Sequence, residues 1–221
     1  MTTTQCGELN SADATELEQL AQRASQDCVE GLLEQMNVPC ADLEAVAELA
    51  ARCTFDHVAA LVFPRTLDEV RARLAAWGWT CAPAIPSVVV RGRLAQRHGL
   101  RAEDLDVWII RARKEGQPDL EVFCLLSSPA LAKVAVLERA QDHERHLALR
   151  VNQPDLASLE HLTRVLGQNL AILPDGGGHN PHEDREAGGR TVLYFRHPHR
   201  GRVELTCSGA FPNLLDRHLG R

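Results

Sequence analysis

Lysine is nearly missing from this chain. Lys114 and Lys133 are the only two, and arginine supplies the rest of the 24 basic residues, which face 30 acidic ones. The resulting net charge of −6, with a pI of about 5.9, leaves no basic footprint. Nucleic acid and an anionic membrane both need one, so neither is expected as a main partner. No apolar run approaches the ~20 residues that span a bilayer. The N-terminal stretch has neither a basic region nor an apolar core, so no secretory leader is expected. Of the seven cysteines (Cys6, Cys28, Cys40, Cys53, Cys81, Cys124, Cys207), no two form a C-x-x-C pair. The odd count and the lack of a leader lead us to expect reduced thiols and a cytoplasmic protein. The glycines at 176–178 run into a polar loop rather than a strand–turn–helix, so they form no phosphate-binding fingerprint. There is no G-x-S-x-G motif, and no cysteine has the partners of a nucleophile. Nucleotide enzymes and serine hydrolases are set aside.

What is present suffices for a core without disulfide staples. The chain has 221 residues, 44% of them apolar and 24% charged, as in ordinary soluble domains. Residues 1–52 read as a helical extension. Ser11 and Asp13 are candidate caps, Val29, Leu32, Leu33 and Met36 follow helical spacing up to Pro39, and Leu43, Val46, Ala47 and Ala50 repeat at i, i+3, i+4, i+7. From Phe55 the period changes to two. FDHVAALVF reads as a strand, and TLDEVRARLAAWG as a helix capped by Thr66 and stopped at Gly78. AIPSVVV (84–90) reads as a second strand, and LDVWIIRAR with LEVFCLL as a hairpin. Residues 129–143 read as a linker helix. After it, ERHLALRV, DLASLEHLTRVLG, NLAIL and the hairpin RTVLYFRHP/GRVELTCSG repeat the same order, with PDGGGHNPHEDREAGG as a mobile loop. The organisation expected is a first module at 53–128, a linker at 129–143, a second module at 144–210 and a tail at 211–221.

The repeat holds residue by residue. A shift of 89 positions sets His57 on His146, Ala59 on Ala148, Leu67 on Leu156 and Gly78 on Gly167. At the module ends LEVF falls on VELT, which sets Glu121 on Glu204. Two histidines open the modules and two glutamates close them. A lone His or Glu in a strand ordinarily faces solvent. His57 is harder to explain that way, because Ala59, Leu61 and Phe63 continue its face. Mixed imidazole and carboxylate donors suit Zn, Ni, Fe or Mn, whereas Ca prefers oxygen alone.

These residues and this repeat resemble the vicinal oxygen chelate superfamily, which includes glyoxalase I, methylmalonyl-CoA epimerase and the extradiol dioxygenases. The resemblance covers roughly residues 53–210 and implies an α+β fold of two paired βαβββ modules with an N-terminal helical extension. It further implies one divalent metal (Fe, Zn, Ni or Mn) held by His57, Glu121, His146 and Glu204, with Glu121 and Glu204 available as catalytic carboxylates. Arg150 shares the strand face of His146 and is a candidate to hold an anionic substrate group, a surface arginine being the equal alternative. Trp108, Ile110, Phe123 and Tyr194 either line the cupped surface that the resemblance implies around the metal or pack the core. His179 and His182 sit in the glycine-rich loop, as a lid or as solvated residues.

Three functions follow from the resemblance. A metal-dependent lyase or isomerase acting on a small oxygenated substrate is expected first, because all four ligand positions are filled. An Fe(II) dioxygenase would use His57, His146 and Glu204 as a facial triad, with Glu121 as a bystander. A non-catalytic small-molecule binding protein is the third, disfavoured because such relatives generally lack the ligands. Members of the superfamily often pair as homodimers, an arrangement the N-terminal helices are suited to serve.

Overall fold

The computed structural model describes residues 9–24, 42–197 and 201–220. It is an α+β protein that divides into two compact units. The first is built from the described residues within Met1–Ser25 and Ala59–Glu144, the second from those within Gln26–Val58 and Arg145–Arg221. The helical reading of 29–39 lies outside the described residues.

The first unit begins with α1 (Ser11–Arg23). Its N-cap is Asn10, whose side chain accepts from Asp13 N, rather than Ser11 or Asp13. Asp13 instead turns inward, taking the Phe63 amide at 3.0 Å and the Arg139 guanidinium at 2.8 Å. β1 (Cys53–Val62) runs from the second unit into the first. It is followed by α3 (Leu67–Ala76), the label α2 being kept for Leu43–Arg52 of the second unit. Thr66 holds the N-cap position of α3 without a side-chain bond. Glu69 reaches back to Arg65 N at 3.0 Å and satisfies an amide there. Gly78, at φ +82°, takes the left-handed turn beyond the helix.

The short β2 (Thr80–Cys81) and β3 (Ile85–Pro86) both pair with β4 (Val107–Lys114), which is antiparallel to β5 (Gln117–Leu125). Between them, the expected strand over 84–90 is overturned. Only Ile85–Pro86 is extended, and Val88–His98 forms α4, stopped by Gly99 in the left-handed region. Its Val90, Leu94 and Ala95 join Ala59, Phe63, Ile109, Phe123 and Leu125 in the core, with Val134 and Ala135 of α5 (Ala132–Gln141). That burial outweighs the strand preference of three successive valines.

The second unit contains α2 and the first half of β1. α2 is capped by Asp42 and tied to the rest of the unit through Glu48–His161 (2.6 Å) and Asp42–Asn169 (2.8 Å). β6 (His146–Val151) and α6 (Leu156–Arg164, capped by Asp155) follow, then β7 (Leu173–Asn180), β8 (Arg190–His197), β9 (Gly201–Ser208) and α7 (Pro212–His218). Two expectations change here. Residues 165–169 form a π-helical turn and 170–172 lie in no strand, so of NLAIL (169–173) only Leu173 lies in a strand, as the start of β7. Of the glycine-rich stretch expected as a loop, 174–180 belong to β7, hydrogen-bonded to β8, and 181–189 form turns.

β6 is parallel to β9, which is antiparallel to β8, which is antiparallel to β7. In each unit the strand order runs first, last, third, second, so both are βαβββ modules. Among the described residues, no helix is long and apolar enough to cross a membrane.

Candidate metal centre

Strand alternation gives the sheet of the second unit two different faces. Leu147, Leu149, Leu193, Phe195, Val203 and Leu205 occupy one and are all buried. α7 packs on that side, with the His218 ring 4.8 Å from Phe195. The other face is polar. Glu204 sits opposite Ala148 on β6 and Tyr194 on β8. His146 and Arg150 flank Ala148 at the strand period, so both share the face of Glu204.

On that face His146 Nε2 lies 3.2 Å from Glu204 Oε2, with 0% and 2% of the two side chains exposed. The first half of β1 contributes His57, whose ring centroid is 5.6 Å from that of His146. The Tyr194 ring closes on His146 at 5.2 Å, and the Arg202 guanidinium lies 5.4 Å from the Tyr194 ring centre. One donor atom from each of His57, His146 and Glu204 lies within 4.8 Å of the others. A buried His/Glu cluster of this kind can bind a metal ion. Bonds of about 2.0–2.2 Å set neighbouring donors roughly 3.0–3.4 Å apart, which the His146–Glu204 pair already matches. Two imidazoles and a carboxylate also suit the borderline divalent metals expected from the sequence.

Glu121 lies on β5 of the first unit and is buried. It is directly opposite Arg111 on β4, whose Nε (3.1 Å) and Nη2 (2.9 Å) both donate to Glu121 Oε1. Its strand face continues into the apolar core through Phe123 and Leu125, so alternation does not turn it to water. Arg150, half exposed on β6, donates to Asp56 Oδ1.

Asp56 is a residue the sequence reading passed over. Its Oδ2 accepts from His57 Nδ1 at 2.8 Å and from Arg190 Nη1 at 3.1 Å. The adjacent Asp-His pair inside an apolar strand was the available signal. Strand alternation argued against reading it, since neighbouring side chains point to opposite faces.

Among the described residues, four further histidines have other partners: His98 bonds Glu138, His161 bonds Glu48, His179 approaches Thr191, and His218 bonds two carbonyls. Of the aromatic or apolar residues considered for lining the site, Phe123 and Ile110 are core, and Tyr194 packs edge-on against His146. Among the described residues, the four thiols are disfavoured as thiolates, and Cys81 is raised by partial burial. Burial pushes Cys53 and Cys207 up to about 12 and raises Cys124 further.

No protein-family model matches the chain, and no curated protein matches it either. Several solved structures do. A protein of Shewanella frigidimarina matches at 12% identity and TM-score 0.46, over 94% of this chain and 96% of that one. A Streptomyces coelicolor methylmalonyl-CoA epimerase matches at 14% identity and TM-score 0.39, over 72% and 96%. A glyoxalase/bleomycin resistance protein/dioxygenase superfamily member of Vibrio splendidus matches at 8% and 0.37, over 70% and 98%.

Proposed function

We propose that this chain is a divalent-metal-dependent enzyme in which His57, His146 and Glu204, with Glu121 as a fourth ligand, hold one ion. The substrate is a small molecule with neighbouring oxygens, and the chemistry is that of a lyase or isomerase. One observation carries the reading: buried imidazole and carboxylate donors converge on the polar face of a βαβββ sheet at positions the internal repeat singles out. Burying such donors together costs free energy unless a charge or hydrogen bond compensates them.

When bound, the ion supplies Lewis acidity to a substrate oxygen. The protein does the rest. Glu204 and Glu121 are the carboxylates available to take a proton from carbon and return it. Tyr194 shields the His146 side of the site from water. Arg150, half exposed on the face of His146, is suited to anchor an anionic group of the substrate.

A second reading is favoured by a specific contact. Arg111 delivers two hydrogen bonds to one oxygen of Glu121, which weakens that carboxylate as a ligand. Without Glu121 the set is two histidines and one carboxylate, the facial triad of Fe(II) dioxygenases.

Elemental mass spectrometry on untagged protein tests the site. About one Fe, Zn, Ni or Mn per chain is expected, and none in a His57→Ala/Glu204→Ala double variant. A wild type that holds no metal even after reconstitution overturns the reading and leaves a small-molecule binding protein. Glu121→Gln separates the two chemistries. Metal loss supports the four-ligand site, whereas metal retention with oxygen-dependent turnover supports the dioxygenase.

A further inference from the structure

Asp56 is bound more extensively than a structural ion pair requires. It is buried at the first half of β1, with 1% of its side chain exposed. Oδ1 accepts from the Arg150 guanidinium, and Oδ2 accepts from both Arg190 and His57 Nδ1. Arg190 is itself held at its Nε by Asp184 at 3.0 Å, and Ser208 donates to the same Asp184 oxygen at 2.8 Å. The carboxylate is therefore fixed from two sides by guanidinium groups and has little freedom to leave the imidazole. A carboxylate only accepts, so the His57 nitrogen facing it must carry the proton. The Nδ1–H tautomer leaves the lone pair on Nε2, the other end of the ring.

We propose that Asp56 is a positioning residue: gripped by Arg150 and Arg190, it fixes the ring orientation and tautomer of His57 so that Nε2 is presented as a metal donor. This rests on the reading of His57 as a ligand. It goes beyond that reading by assigning work to three residues that are not ligands, and by linking the turn before β8, through Asp184 and Arg190, to the metal site. A hydrogen-bonded carboxylate behind a ligating histidine raises its basicity as well as fixing its orientation. Loss of such a partner commonly lowers metal affinity about 10–100-fold. A buried aspartate paired with Arg190 and the half-exposed Arg150 for stability alone would not need the imidazole as a third donor.

The test uses the full chain and two readouts. In metal-free protein at pH 8, long-range 1H–15N correlation spectra of the imidazoles report the tautomer of His57. The Nδ1–H form is expected in the wild type, the Nε2–H form in Asp56→Ala, and the Nδ1–H form again in Asp56→Asn, whose amide oxygen still accepts. An Nε2–H wild type, or a tautomer unmoved by Asp56→Ala, overturns the proposal whatever the metal does.

The second readout is titration with Co2+, followed by its visible absorption. About 10–100-fold weaker binding is expected in Asp56→Ala, with a smaller loss in Arg190→Gln. Equal affinity and an unchanged spectrum in Asp56→Ala overturn the role of Asp56 while leaving the ligand set intact. A wild type that takes up no Co2+ overturns the ligand reading itself. Circular dichroism checks folding, and if Asp56→Ala does not fold, Asp56→Asn and Arg190→Gln carry both readouts.

Discussion

His218 shows how one side chain on the helix-covered face of the second unit responds to pH. Its Nε2–H donates to the carbonyls of Gly176 (2.9 Å) and Tyr194 (3.0 Å), joining α7 to β7 and β8. Burial disfavours the imidazolium more than the two carbonyls and Asp175 favour it, so its pKa falls below the ordinary 6.5. Between the lowered folded value and the ordinary unfolded one, the unfolded chain binds more protons. The contribution to stability is therefore complete above about pH 6.5 and is lost as pH falls through the folded value. Urea midpoints should drop between pH 7.5 and 5 in the wild type and drop less in His218→Gln. Parallel pH profiles would sink this assignment. At this scale the sequence was legible where the repeat pointed. His57, His146 and Glu204 stand out because two modules place the same residue types at matching strand positions. Asp56 and Arg111 did not stand out. The first contravenes simple strand alternation, and the second depends on the β4–β5 register, which sets Arg111 opposite Glu121 and which no local pattern reveals.

Glycine and valine make the same point for whole elements. The glycine-rich stretch at 173–180 has the composition of a loop, yet it forms β7, where Gly176 takes φ +101° and Gly177 answers to close approach. A Cβ on Gly177 would fall 2.5 Å from Val192 O, and one on Gly189, at φ +109°, would fall 2.4 Å from the His179 ring. Gly189→Ala should therefore destabilise the protein by about 1–3 kcal/mol, through strain at positive φ and the clash with His179. Gly92 is the opposite case. It is exposed within α4 and has open space around its missing Cβ, so Gly92→Ala should stabilise by about 0.5–1 kcal/mol. Denaturant midpoints for the two variants should move in opposite directions; a shift of both the same way would refute the distinction. Gly92 also lies in the helix that valine propensity concealed. Residues 88–90 look like a strand in isolation. They become helical because Val90, Leu94 and Ala95 fit the helical period and pack on β4 and β5 residues far away in the chain.

Across the whole molecule, the proposed metal site makes a prediction about stability. Each of the two units is assembled from segments that are not contiguous, and one boundary between them, Val58/Ala59, falls inside a single strand. Local periodicity shows the strands but not this division, which depends on contacts between distant segments. A ligand that binds only the folded chain stabilises it by mass action, and His57, His146 and Glu204 come from β1, β6 and β9, which converge only on folding. At a free metal concentration 100 times the Kd, the gain is about 2.7 kcal/mol. For a chain of this length each kcal/mol raises Tm by roughly 2–4 °C. Stripping with EDTA should therefore lower Tm by roughly 5–11 °C in the wild type, and restoring the ion should recover it. His57→Ala should melt at the same temperature with and without chelator. A wild type indifferent to both EDTA and added metal would mean that the buried imidazoles and carboxylate are compensated within the protein itself, and the cluster would then be a structural network rather than a metal site.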